Sequence, residues 1–192
     1  NKGVAAAVDR GIRACKGDYY VLLSADDVLH PDYVLKTLSL LISKPEAAFA
    51  YTHAFLFGAV SGILKSREYN LKELLKANYI PGTALVRTSS YYIVGGYDPE
   101  LPMLEDWDHW LMFAEHGLYG VLVPEPLFYW RRHAAGSRNT QPIGVARKAA
   151  RKIQKKHRHL QPAYFWIAAL SERAVRKAFS KIKAILYPIQ PD

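Results

Sequence analysis

The 192 residues suffice for one domain with a substantial core, since half of them are hydrophobic, and the single cysteine, Cys15, excludes an internal disulfide and a thiolate metal site. The formal net charge of +9 is unevenly spread: residues 1–130 carry 11 Lys/Arg against 15 Asp/Glu, and residues 131–192 carry 15 against 2. No apolar run approaches the roughly 18 residues that read as a bilayer span, and Asn1-Lys2-Gly3 has none of the charged-then-apolar layout of a signal peptide.

Val4, Ala5, Val8, Ile12 and Cys15 recur at helical spacing and Gly17 stands where a C-cap would, which predicts a helix over 4–15. Tyr19 to Leu23 then read as a buried strand that ends, through Ser24-Ala25, in the adjacent carboxylates Asp26 and Asp27. On spacing alone this pair is either a helix cap, because Pro31 follows, or a set of hard oxygen ligands at the carboxyl edge of a sheet. Pro31 opens a second helix whose stripe of Val34, Leu35, Leu38, Leu41 and Ile42 reads as core, stopped before Pro45.

The aromatic-rich stretch 47–57 predicts a strand with a hairpin partner near Gly62 to Lys65. His53 inside it is either a packed core histidine or a site residue. A short helix over 70–77 leads to the turn Asn78 to Gly82, a strand at Thr83 to Arg87 and a helix from Ser89 to Val94 that ends at Gly95-Gly96. The next helix starts at Leu104-Glu105-Asp106-Trp107 and runs to Gly117, with Glu105, Asp106 and Asp108 crowded into its first turn. Negative charge is favoured there by the helix dipole, so these residues serve either as helix decoration or as catalytic groups. Gly120 to Val123 and Leu127 to Trp130 follow as two short strands around Pro124 and Pro126. This order is that of an α/β domain with a mostly parallel sheet.

Beyond His133 the composition changes. Arg147 to His159 holds seven Lys/Arg on a helical pattern, and Pro162 opens a last amphipathic helix with Ile167, Leu170, Ala174, Ala178 and Ile182 on one side. A basic amphipathic helix reads either as a membrane-surface element or as a solvated outer helix.

Taken in order, Asn1-Lys2-Gly3 with Gly11-Ile12, Gly17-Asp18-Tyr19 leading to Ser24-Ala25-Asp26-Asp27, Pro81-Gly82-Thr83-Ala84, Gly95-Gly96-Tyr97-Asp98, Leu104-Glu105-Asp106-Trp107-Asp108, and Arg131-Arg132-His133 with Ser137 resemble the inverting family 2 glycosyltransferases of GT-A fold. The resemblance covers residues 1 to about 140. It implies a GT-A-like, mostly parallel sheet flanked by helices and truncated at its N-terminus, because the family's strand and loop for the nucleotide base would precede Asn1. Residues 1–140 would then be a partial catalytic domain and 141–192 a basic helical extension.

The resemblance also implies chemistry: transfer of a sugar from a nucleotide-diphosphate sugar, with a UDP-sugar expected, to a hydroxyl acceptor with inversion, in polysaccharide or glycoconjugate synthesis. Asp26 falls on the family's metal carboxylate, with His133 as a second ligand of Mg2+ or Mn2+. Asp27, Ser24, Arg131 and Arg132 would contact the donor, Ser24 standing where the family commonly has an Asp. Asp106 would be the general base, with Glu105 beside it, because the acceptor hydroxyl must lose its proton as it attacks. The acceptor would be a glycan or lipid-linked sugar, and the setting cytoplasmic, with residues 141–192 as a contact for an anionic membrane surface. Two other readings are a membrane-surface or nucleic-acid binding module driven by the basic tail, and a nucleotidyltransferase. The acidic front part and the lack of a nucleic-acid motif weigh against nucleic acid as a partner.

Overall fold

The computed structural model describes residues 3–134 and 143–160. The expectations for Asn1-Lys2, for Ser137 and for the helix from Pro162 lie outside the described residues. Helix α1 (Gly3–Ala14) leads into β1 (Tyr19–Val21), then β2 (Val28–Leu29) and α2 (Tyr33–Ser43). β3 (Phe49–Gly58), β4 (Gly62–Leu64), α3 (Leu71–Leu74), β5 (Leu85–Arg87) and α4 (Thr88–Val94) follow. The described part closes with α5 (Glu105–Glu115), β6 (Gly120–Arg132), α6 (Ile143–Lys156) and a 3-10 turn at Arg158–Leu160.

The strands form one sheet in the order β1-β5-β3-β6-β2, with β4 added to β3. Its longest ladder, β3 with β6, is parallel, while β1, β2, β4 and β5 join by antiparallel pairs. The sheet expected to be mostly parallel is thus mixed. Because β5 runs against both its neighbours, β1, β3 and β6 still share one direction, and their carboxyl ends lie on one side of the row Val21–Leu85–Ala50–Val121.

Strand alternation divides the core between the two faces. Phe49, Tyr51 and Val86 join Ile12, Trp107, Trp110, Phe113, Ala149 and Ile153 on one face, and Ala50, Leu85, Val121 and Phe128 join Tyr33 and Leu41 on the other. Helices α1, α4, α5 and α6 therefore cover one side and α2 the other, the layering of an α/β domain. Phe49 stacks on Trp110 with ring centroids 4.4 Å apart, and its ring lies where a Cβ on Gly120 would sit.

Several elements differ from their sequence expectations: β1 stops at Val21 and leaves Leu23 exposed, and β2 forms where no strand was expected. Residues 120–132 form one strand rather than two, because register shifts beside His53 absorb the region of Pro124 and Pro126 without ending the ladder. In α2 the buried residues are Tyr33, Thr37 and Leu41, while Val34, Leu35 and Ile42 face outward. Hydrogen bonds explain the rotation: Tyr33 Oη donates to Thr83 O (3.1 Å) and Thr37 Oγ1 to Tyr33 O (2.6 Å), so polar groups tolerate burial there. His53 is half-buried and accepts a hydrogen bond from Ser66 N (3.2 Å), as a packed histidine.

Candidate active site

After Val21 the chain leaves β1 and crosses the carboxyl side of the sheet to reach β2, which pairs with β6 through Val28↔Tyr129. That crossing carries Ser24 to Asp27 to the end of β6. A tight turn, with Asp27 N donating to Ser24 O (3.1 Å), aims both carboxylates at Arg131 and His133. Arg131 N donates to Asp27 Oδ1 (2.8 Å), and Arg131 Nε donates to the Asp26 carbonyl (3.0 Å). His133 Nε2 lies 2.7 Å from Asp26 Oδ2.

The two adjacent carboxyls are pushed apart in proton affinity. The hydrogen bond from His133 holds exposed Asp26 below the usual carboxylate range, whereas burial, helped by the Asp26 charge, raises Asp27. Ser24 hydrogen-bonds Asp27 from within the turn. The guanidinium of Arg131 lies 4.4 Å from the Phe57 ring centroid and that of Arg132 lies 4.6 Å from that of Trp130, which fixes both cations against the end of the sheet.

A second cluster forms at the start of α5. Leu104 precedes it with φ 63°, a left-handed conformation that costs a non-glycine residue roughly 1–2 kcal/mol and turns the chain sharply into the helix. Asp106 then points at the turn before β5: Asn78 Nδ2 donates to its Oδ2 (3.0 Å), Trp107 N to its Oδ1 (2.8 Å), and a Cβ on Gly82 would stand 3.5 Å from Oδ2. Asn78 is oriented in turn by Ile80 N, which donates to its Oδ1 (3.0 Å). Burial, with the adjacent Glu105 charge second, pushes the Asp106 carboxyl up to about 7. A half-buried carboxyl with that affinity exchanges protons near neutral pH, which is what a general base needs.

The fold therefore gathers Ser24, Asp26, Asp27, Arg131 and His133 into one cluster and holds Glu105 and Asp106 in another. Both are on the carboxyl side of the shared strands, because Gly82 lies three residues before Leu85 on the reversed strand β5. Among the described residues no group of three or more His, Cys, Asp or Glu side chains is arranged to share a metal ion. Asp26 and His133 offer two donors to one point, which suits a cation whose remaining ligands are phosphate oxygens and water. Asn78 and the left-handed Leu104 were not marked out by the sequence pattern; Asn78 read only as a turn residue.

The glycine motif has a packing role. Asp9 of α1 accepts hydrogen bonds from Tyr91 Oη (2.8 Å) and Tyr97 N (3.0 Å), and its carboxylate occupies the space a Cβ on Gly96 would need. Gly95 takes φ 87° at the end of α4.

Residues 1–94 match the family model for glycosyl transferase family 2. An uncharacterized glycosyltransferase of Haemophilus influenzae is 28% identical over 146 residues, 71% of this chain and 50% of its own length. The O-antigen biosynthesis protein RfbC of Myxococcus xanthus is 26% identical over 136 residues, 69% of this chain and 11% of its own length. The chain spans about half the length of the Haemophilus relatives it matches. In fold it is similar to S. aureus TarS 1–349, solved in complex with UDP-GlcNAc, with a TM-score of 0.59 at 12% identity over 77% of this chain and 46% of that one. A longer structure of S. aureus TarS gives a TM-score of 0.57 over 79% of this chain and 27% of that one.

Proposed function

We propose that this chain, similar to glycosyl transferase family 2 over residues 1–94 and to TarS in fold, carries part of a site that moves a sugar from a nucleotide-diphosphate sugar to a hydroxyl acceptor with inversion. The observation that carries this is Asp106: a half-buried carboxyl, raised to about 7 and oriented by Asn78 and Trp107 N, at a strained helix start. Asp106 takes the proton of the acceptor hydroxyl as its oxygen attacks the anomeric carbon from the face opposite the leaving diphosphate. One displacement of this kind inverts the anomeric centre.

Asp26 and His133 would hold a divalent cation, Mg2+ or Mn2+, and such a cation supplies electrostatic stabilisation of the departing diphosphate. Arg131, Asp27 and Ser24 flank that position and, with Arg132 held against Trp130 beside it in the chain, would orient the donor. The complex of TarS with UDP-GlcNAc supports a UDP-sugar as donor, and the name of the Myxococcus relative supports a role in polysaccharide synthesis. On α6 the exposed cations Lys148, Arg151 and Lys155 recur at i, i+3 and i+7, a spacing that suits contact with an anionic membrane surface at the cytoplasmic face. No helix among the described residues is long and apolar enough to cross a membrane.

The test uses the full-length protein with a panel of UDP-sugars and simple glycoside acceptors, resolved by NMR of the product anomer. Asp106→Asn should bind donor as the wild type does and lose at least about a hundredfold in turnover. Turnover at the wild-type rate removes Asp106 as base, a retained anomer removes inversion, and release of pyrophosphate in place of a nucleoside diphosphate favours the nucleotidyltransferase reading.

A further inference from the structure

Asp108, the third acidic residue of the first turn of α5, does not face the candidate site. Its side chain is fully buried against the carboxyl end of α6, with Oδ1 2.8 Å from His157 Nε2 and Oδ2 2.6 Å from Lys156 Nζ. The other ring nitrogen of His157, itself fully buried, lies 2.6 Å from Glu115 Oε1 at the last turn of α5, and His159 Nε2 reaches the same oxygen at 3.0 Å. A ring between two carboxylates satisfies both when it donates from both nitrogens. Lys156 also approaches Asp98, at 3.9 Å, and Lys152 reaches Asp98 and Glu100, so the loop before α5 is tied to α6 as well.

His157 therefore grips α5 at two points seven residues apart, about two helical turns. A helix held at two points on one face can neither slide nor roll. Successive residues turn about 100° around the axis, so Asp106 stands about 200° from Asp108. Drawing Asp108 inward onto His157 consequently turns Asp106 outward, toward Asn78 and Gly82.

We propose that the Asp108–His157–Glu115 bridge is a positioning device: α6 and its carboxyl end set the rotation of α5 and so aim the Asp106 carboxyl at the acceptor. This rests on the reading of Asp106 as base. Asp108, Glu115, His157 and Lys156 are positioning residues that never touch substrate. Buried charges suit the task, because a charge left without its partner in the interior is costly, and the helix has one low-energy orientation.

The test compares His157→Gln, Asp108→Asn, their double variant and the milder Lys156→Met in the full-length protein, each normalised to its folded fraction. Hydrogen exchange over residues 104–115 and steady-state kcat and donor KM are measured. Each single variant at 108 or 157 should raise exchange in the first turn of α5 and lower kcat roughly 10- to 100-fold, the scale of a misplaced catalytic group, with donor KM changed by less than about threefold. The double variant, which can restore a neutral amide pair, should recover part of the loss. Lys156→Met should lower kcat a few-fold and remains informative if the buried variants do not fold. Wild-type kcat in the folded variants, or unchanged protection of α5, overturns the proposal. Full turnover in Asp106→Asn would instead strike the base reading, while the exchange measurement still judges the bridge.

Discussion

Asp106→Asn removes from the start of α5 a carboxyl whose charged form the fold disfavours. Burial and Glu105 raise it from 3.8 to about 7, which at full ionisation corresponds to about 4 kcal/mol against the folded state. Below about pH 4 both folded and unfolded chains are protonated at this position and the penalty vanishes. Between about 4 and 7 the folded chain keeps a proton that the unfolded chain releases, so stability falls as pH rises, by about 1.4 kcal/mol per unit. Above 7 the full penalty stands. Asparagine escapes it at a fixed cost. It presents one oxygen where Asp106 uses two, toward Asn78 Nδ2 and Trp107 N, and Asn78 cannot simply flip because its Oδ1 accepts from Ile80 N. One unpaired donor costs about 1–3 kcal/mol at any pH. The variant should therefore be less stable than the wild type near pH 4 and more stable near pH 8. Urea unfolding of both proteins across that range, followed by circular dichroism, measures the difference; a constant difference would refute the burial of charge at Asp106.

Further expectations concern the same residues. If Asp106 is the base, log kcat/KM should rise with unit slope up to about pH 7 and then level, and initial rates in a buffer series would show it. Gly96→Ala drives a methyl into the Asp9 carboxylate and breaks its hold on Tyr91 and Tyr97; it should lose about 2–4 kcal/mol by chemical denaturation. At Gly82 a Cβ meets Asp106 at ordinary contact distance, so Gly82→Ala should fold normally by thermal melt yet lower kcat by filling space beside the carboxyl. Asp26→Ala and His133→Ala break a solvent-exposed pair, so melting should barely change, while calorimetric binding of UDP in the presence of Mn2+ should weaken; unchanged binding would remove the pair as cation ligands.

Much of the site was legible because its residues stand beside strong punctuation. Asp26 and Asp27 follow an apolar run, although the strand itself stops at Val21 and the pair stands just before β2, and Asp106 opens a helix with clear periodicity. What the same pattern could not assign was direction. Asp106 and Asp108 differ by two positions in one turn, yet one meets Asn78 and the other His157, and only the packing of α6 against α5 separates them. In α2 the apolar stripe misled for a related reason: hydrogen bonds to Thr83 and along the helix bury Tyr33 and Thr37, and the more hydrophobic Val34, Leu35 and Ile42 are left outside. The two prolines of β6 read as a break because a proline removes a ladder donor, whereas bulges in β6 itself, opposite His53, take up the extra residues without ending the ladder.

By itself the sequence determined most of the alternation of helices and strands, the carboxylates that follow the apolar run after Gly17 and those that start α5, and the glycines at 95 and 96, since each depends on neighbours a few residues away. Tertiary structure decided which partner each carboxylate meets. Asp26 meets His133 only because the chain crosses the sheet between β1 and β2. Asp106 acquires most of its raised affinity because the fold buries it beside Gly82 in the turn before β5; the Asn78 hydrogen bond pulls the other way and the neighbouring Glu105 charge adds to the rise. Burial and long-range pairing set charge states, and neither is a property of a residue's local sequence.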